Sequence, residues 1–121
     1  MTSEQQGRPY DLEERTLLFA REVRAFLKTI PRTIANIEDG RQPICSSGSV
    51  GANYIEANEA LGKKDFKCRL RIARKEAKES SYWLWLLDVG DCDPVEHERQ
   101  RLVQEANELM KIIAAILRKS E

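Results

Sequence analysis

The run Ile44-Cys45-Ser46-Ser47-Gly48-Ser49-Val50-Gly51-Ala52-Asn53-Tyr54-Ile55-Glu56-Ala57 decides how this 121-residue chain is read. It concentrates Gly, Ser and Ala, a composition that suits a loop as well as a helix. The apolar positions favour the helix. Val50, Tyr54, Ala57 and Leu61 recur at intervals of four, three and four, which line one helical face. On that helix Ser47, Gly48, Gly51 and Ala52 leave little bulk between backbone and neighbour. Each Gly inside a helix costs about 1 kcal/mol relative to Ala, so two of them imply close packing or a bend that offsets the cost. The expectation is a small-residue helix around which three bulkier helices assemble.

Outward from this helix the boundaries are marked by Pro and Gly. Gln42 to Leu61 is the expected span, with Pro43 in its first turn, where a missing N–H loses nothing, and Gly62 as its stop. Upstream, Pro31 to Arg41 reads as a connector whose clearest breaker is Gly40. Before it, a first helix from Asp11 to Ile30 carries Leu12, Thr16, Phe19, Val23, Phe26 and Ile30 in a 4, 3, 4, 3, 4 seam. Asp11 and Glu14 form a candidate capping box at its start, and Pro31 should end it. Residues 1–10 are expected to be a flexible tail, and residues 11–119 one domain.

Downstream, a third helix from Lys64 to Val89 should be the longest element. Phe66, Leu70, Ala73, Ala77, Ser80, Leu84 and Leu87 hold its heptad register, and Gly90 should end it. A fourth helix, Pro94 to Lys119, is expected to start on a second capping box, Asp93 with Glu96. Leu102, Ala106, Leu109, Ile113 and Ile116 form its seam. Four amphipathic helices with short connections predict an all-α, antiparallel up-down-up-down bundle. Leu17, Leu18, Leu27, Val103, Met110, Ile112 and Leu117 lie off the seams, and Trp83 and Trp85 fall on adjacent faces. That surplus of apolar surface predicts a homo-oligomer.

Composition excludes several classes of function. Lys+Arg and Asp+Glu both total 20, so no global field draws the chain to nucleic acid or to an anionic membrane. No apolar run reaches the roughly 20 residues of a membrane span, and the polar N-terminus has no secretory pattern. The expected compartment is the cytoplasm. Cys45, Cys68 and Cys92 are odd in number and form no Cys-x-x-Cys pair, which suits reduced thiols. With His97, the only histidine, they match no zinc spacing, so no metal is expected. No phosphate loop, nucleophile elbow or His-Glu-x-x-His motif is present. Glu56 or Glu76 as a general base would lack partners, so neither catalysis nor a cofactor is expected.

Local charge is more informative than total charge. Between Lys63 and Glu79, eight basic residues stand against Asp65, Glu76 and Glu79. Lys63, Lys67, Arg71, Arg74 and Lys78 recur at near-helical intervals and make a stripe able to track phosphates. The plainer reading is a solvated face with pairs such as Lys75–Glu79. No aromatic residue interleaves with the stripe, so a reader of single-stranded sequence is not expected. Asn53, Glu56, Asn58 and Glu59 would line a polar pocket or, more plainly, fix helix register by interhelical hydrogen bonds.

Asp11-Leu12-Glu13-Glu14-Arg15-Thr16-Leu17, Ser49-Val50-Gly51-Ala52-Asn53-Tyr54 with Glu56-Ala57, Lys64-Asp65-Phe66, and Lys75-Glu76-Ala77 with Glu79 and Tyr82-Trp83-Leu84 carry a resemblance. In this order they resemble the bacterial four-helix-bundle family of 23S rRNA intervening-sequence proteins. The chain departs from the family pattern at Pro43, Cys45 and Gly48. The resemblance implies a ring-like homopentamer and an association with RNA. A related branch, the accessory proteins of diversity-generating retroelements, partners a reverse transcriptase and binds nucleic acid through basic surfaces. Two functions are therefore expected. One is a non-catalytic oligomer associated with structured RNA through Lys63, Lys67, Arg71, Arg74 and Lys78. The other is an oligomeric scaffold or accessory protein for a protein partner such as a reverse transcriptase.

Overall fold

The computed structural model describes residues 11–120, so the expected tail lies outside the described residues, as does the side chain of Asp11 in the first capping box. Four helices follow in order: α1 Asp11–Leu27, α2 Ile34–Asn58, α3 Lys63–Leu86 and α4 Asp93–Lys119. No strand occurs among the described residues. Helices α1 and α2, α2 and α3, α3 and α4, and α4 and α1 pack together, closing a bundle of four.

Cross-links fix the antiparallel order. Asn58 Nδ2 donates to Glu13 at one end of the α1/α2 pair, and Arg24 Nη2 to the carbonyl of Ile44 further along. Ser46 and Ser80 share a buried 2.7 Å hydrogen bond, and Arg69 Nη1 donates to Asn53 Oδ1 at 3.3 Å, which runs α2 against α3. Arg15 reaches Glu105 and Arg101 reaches Glu22, which runs α1 against α4. The seams form the core: Leu12, Thr16, Phe19, Val23, Phe26 and Ile30 are all buried, as are Leu70, Ala73, Ala77, Ser80, Leu84 and Leu87. On α4 the seam drifts. Leu102, Ala106, Leu109 and Ile113 are buried, but Leu117 replaces the half-buried Ile116, because after Ile113 a step of four keeps closer to the core than a step of three.

Of the connector expected from Pro31 to Arg41, only Pro31 to Thr33 lies outside a helix. Helix α2 begins at Ile34, capped by Thr33, whose hydroxyl accepts from the Asn36 N–H at 3.0 Å. Pro43 therefore sits inside the helix, where it removes one backbone bond and crowds the preceding turn, and Gly40 is a buried interior residue rather than a breaker. Two features hold the helix through these residues. The Asn36 amide is tied to the loops that follow α1 and α3, and Pro43 itself is fully buried in the packed interior.

The helix ends also shift. Helix α1 stops at Leu27, with the Lys28 and Thr29 N–H groups turning back to Ala25 and Phe26, because Pro31 keeps Ile30 out of helical geometry. Helix α2 stops at Asn58, so Leu61 is fully exposed instead of on the seam. Helix α3 ends at Leu86, not Val89, and Gly90 takes a positive φ of 71° in the following turn. Helix α4, with 27 residues, is the longest element. Its N-cap is Cys92 without a side-chain cap bond, so the Asp93–Glu96 box is not formed. Glu96 instead takes the guanidinium of Arg99.

Small residues on α2 do what their composition implies. A Cβ at Gly51 would stand 2.7 Å from Thr16 Oγ1, so the backbones of α1 and α2 approach through this position. Ala52 is exposed and spaces no helix contact within the chain.

Candidate nucleic-acid interface

At 100° per residue, Lys63, Lys67, Arg71, Arg74 and Lys78 fall within roughly 80° of the α3 circumference and extend over roughly 22 Å. Lys63, Arg71 and Lys78 are exposed, and Lys67 and Arg74 half-buried. None of the five forms an ion pair among the described residues. The Lys75–Glu79 pair is likewise not closed; the one pair within α3 joins Arg69 to Asp65 at 4.0 Å, off the stripe.

Several carboxylates are engaged away from the stripe. On the α1/α4 side Arg15 forks onto Glu105 with two 2.7 Å bonds and reaches Glu108 at 2.9 Å. Those contacts push the Arg15 pKa up, chiefly through the Glu105 hydrogen bond. Arg101 holds Glu98 in the same way, lowering the Glu98 pKa, and adds Glu22 at 3.2 Å. The α1/α4 contacts are thus paired, whereas the five cations in line on α3 are not.

That flank faces the outer side of the α3/α4 pair. Trp85, in line with the stripe, touches α4 through Arg99, whose Cζ lies 5.3 Å from the indole centroid. Arg99 is nearly buried. Its Nη1 donates to the carbonyls of Leu84 at 3.4 Å, Trp85 at 3.1 Å and Leu87, and its Nε and Nη2 grip Glu96. Leu84, Trp85 and Leu87 lie at the end of α3, where helical carbonyls lose their partners. The same fork lowers the Glu96 pKa. Sequence reasoning missed Arg99. Its only local signal is Glu96 three residues earlier, since its other partners lie on another helix.

No aromatic interleaves with the stripe, but one lies in line beyond its end. Trp85 falls seven residues after Lys78, two turns on, at nearly the same azimuth, and is 50% exposed. Beside it lies an open hollow of ≈ 410 Å³ bounded by Trp85, Gln100, Val103, Gln104, Asn107, Glu108 and Lys111.

The α1/α2 side of the molecule exposes aliphatic residues among basic ones, Arg24, Lys28, Arg32 and Arg41. Two hollows, ≈ 480 and ≈ 510 Å³, run along the α1/α2 groove and share Arg24. Leu17, Ile37, Ile44 and Ile55 line them and stay exposed. Asn53 and Asn58 serve helix register, through Arg69 and Glu13, while Glu56 and Glu59 point to solvent. Burial pushes the Glu76 carboxyl above its usual range, helped by Glu79 and opposed by Lys75. Cys45, Cys68 and Cys92 are free and exposed, and no cluster among the described residues is arranged to hold a metal ion. No helix among them is long and apolar enough to cross a membrane.

An antiparallel four-helix bundle with a cationic flank is a class shared by many proteins, and the comparisons narrow it. The sequence profile of the family described as 23S rRNA-intervening sequence protein matches residues 10–115, and the chain belongs to that family. A crystal structure of a protein of unknown function from the S23 ribosomal protein family of Bacteroides thetaiotaomicron is similar in fold and sequence, with a TM-score of 0.75 and 28% identity. The match covers 88% of this chain and 97% of that one. No curated protein matches the chain.

Proposed function

We propose that this protein is a non-catalytic, cytoplasmic, oligomeric RNA-associated protein that lays Lys63, Lys67, Arg71, Arg74 and Lys78 along the phosphates of a structured RNA. The observation that carries this reading is the alignment of five cations on one flank with no ion pair among the described residues, while Arg15, Arg99 and Arg101 hold carboxylates at Glu105, Glu96 and Glu98. Cations without intramolecular partners are free to displace counterions from a phosphate backbone. Family membership supports the same direction. The α1/α2 groove, with its exposed aliphatic residues, is the surface through which copies of the chain would close a ring, a homopentamer by resemblance to the family.

The test is titration of the purified oligomer into labelled structured RNA at low and physiological salt. Affinity should fall steeply with salt, and the combined Lys67→Glu, Arg71→Glu and Arg74→Glu variant should lose binding and flatten the salt slope by about two to three. Unchanged affinity in that variant overturns the reading. The second reading, an oligomeric scaffold for a protein such as a reverse transcriptase, is favoured by the groove alone. It predicts no RNA affinity even at low salt.

A further inference from the structure

We infer that the hollow beside Trp85 takes an unpaired nucleobase of the RNA whose phosphates lie on the α3 stripe, an inference that rests on the RNA-associated reading above. A strand following Lys63 to Lys78 runs on toward Trp85, since the indole continues the same line two turns later. The indole already has a protein contact before any ligand arrives. Arg99 lies against it at 5.3 Å and is itself locked by Glu96 and the α3 carbonyls. A half-exposed aromatic ring is what an extruded base stacks on, because every base presents a π-face.

The rest of the hollow suits a base edge. Gln100, Gln104 and Asn107 bring amides that both donate and accept, and none makes a side-chain hydrogen bond among the described residues. Val103 is a buried apolar floor, and Lys111 adds an unpaired cation at the far end. The Glu108 carboxylate is held by Arg15 at 2.9 Å. An aliphatic peptide would find three unpartnered amides in this site, whereas a base finds hydrogen-bond partners and a stacking surface. Stacking accepts the π-face of any base, so the site recognises the unpaired state rather than a sequence.

The experiment compares a fully paired RNA duplex with the same duplex carrying one bulged nucleotide, by anisotropy at physiological salt, using the intact chain. The bulged RNA should bind about tenfold more tightly. In a Trp83→Phe background, where Trp85 alone reports, its fluorescence should be quenched by the bulged RNA only. Trp85→Ala should abolish the tenfold preference and leave affinity for the paired duplex unchanged. Trp85→Phe should retain part of the preference, and Gln104→Ala with Asn107→Ala should reduce it in a chain that keeps its indole. Equal affinity of the wild type for both RNAs, or a preference that survives Trp85→Ala, overturns the inference while salt-dependent duplex binding leaves the stripe reading standing. Failure of both RNAs to bind at low salt removes the stripe reading and the inference together.

Discussion

The side-chain amide of Asn36 pairs with the backbone of Asp88 in both directions, donating to its carbonyl at 2.8 Å and accepting from its N–H at 3.0 Å. A third bond runs from Nδ2 to the Pro31 carbonyl at 2.9 Å. One side chain, 5% exposed, thus ties the start of α2 to the loops that follow α1 and α3. Replacing it by Ala or Leu removes three part-buried hydrogen bonds, which costs about 1–3 kcal/mol. Asn36→Asp should also destabilise, since a carboxylate accepts from Asp88 N–H but cannot donate to either carbonyl. Urea unfolding midpoints measure both. A midpoint unchanged in Asn36→Leu would show that water replaces the amide at no cost.

Two glycines of α2 should respond to Ala with opposite signs. At Gly51 the new Cβ meets Thr16 Oγ1 at 2.7 Å and Thr16 Cβ at 3.1 Å, and a buried β-branched side chain has little room to yield. Gly51→Ala should destabilise by about 1–3 kcal/mol. At Gly40 the new Cβ meets only Leu27 Cδ2 at 3.5 Å, an ordinary contact. Gly40→Ala should therefore keep most of the helix-propensity gain of about 1 kcal/mol. Thermal unfolding of the two variants side by side tests the contrast.

Arg99 substitutes for a C-terminal glycine cap on α3. Arg99→Met leaves the carbonyls of Leu84, Trp85 and Leu87 without that donor and should cost about 3 kcal/mol. Arg99→Lys keeps the charge but loses the planar fork that serves Glu96 and the carbonyls together. It should recover less than half of the loss, as read by chemical denaturation.

Glu76 sets one sign of pH dependence and Glu96 and Glu98 the other. Burial raises the folded-state pKa of Glu76, so its ionisation works against the fold. That penalty is absent below the unfolded pKa, grows as pH rises toward the raised folded value and persists above it. Glu76→Gln should therefore raise Tm at neutral pH and lose its advantage in acid. For Glu96 and Glu98, hydrogen bonds from Arg99 and Arg101 lower the folded pKa. Their stabilisation is present above the unfolded pKa and disappears as pH falls through the lowered folded value. Tm against pH for the wild type and the Gln variants separates the two.

The stripe and the bundle were legible in the chain because both are periodic. Lys63 to Lys78 repeat with the helix and needed no partner to be seen, and the seam of α1 is buried residue for residue, that of α3 in all but the half-buried Phe66. Trp85 was visible as an aromatic on α3, but its role was not. The hollow beside it is made by α4, and its ring is contacted by Arg99, fourteen residues later. Pro43 and Gly40 misled for a local reason. By propensity both break a helix, and only the packing of Pro43 and the anchoring of Asn36 carry α2 through them.

By itself, then, the sequence determined four amphipathic helices, their core faces, their antiparallel order and one cationic flank, because side-chain periodicity repeats along each helix and records which face is dry. Tertiary structure alone decided where α2 begins, where α3 ends, and what stands beside the stripe. Those features depend on single polar groups meeting across the bundle, Arg99 with Leu87 at a separation of 12 residues and Asn36 with Asp88 at 52, and such a meeting leaves no period in the chain.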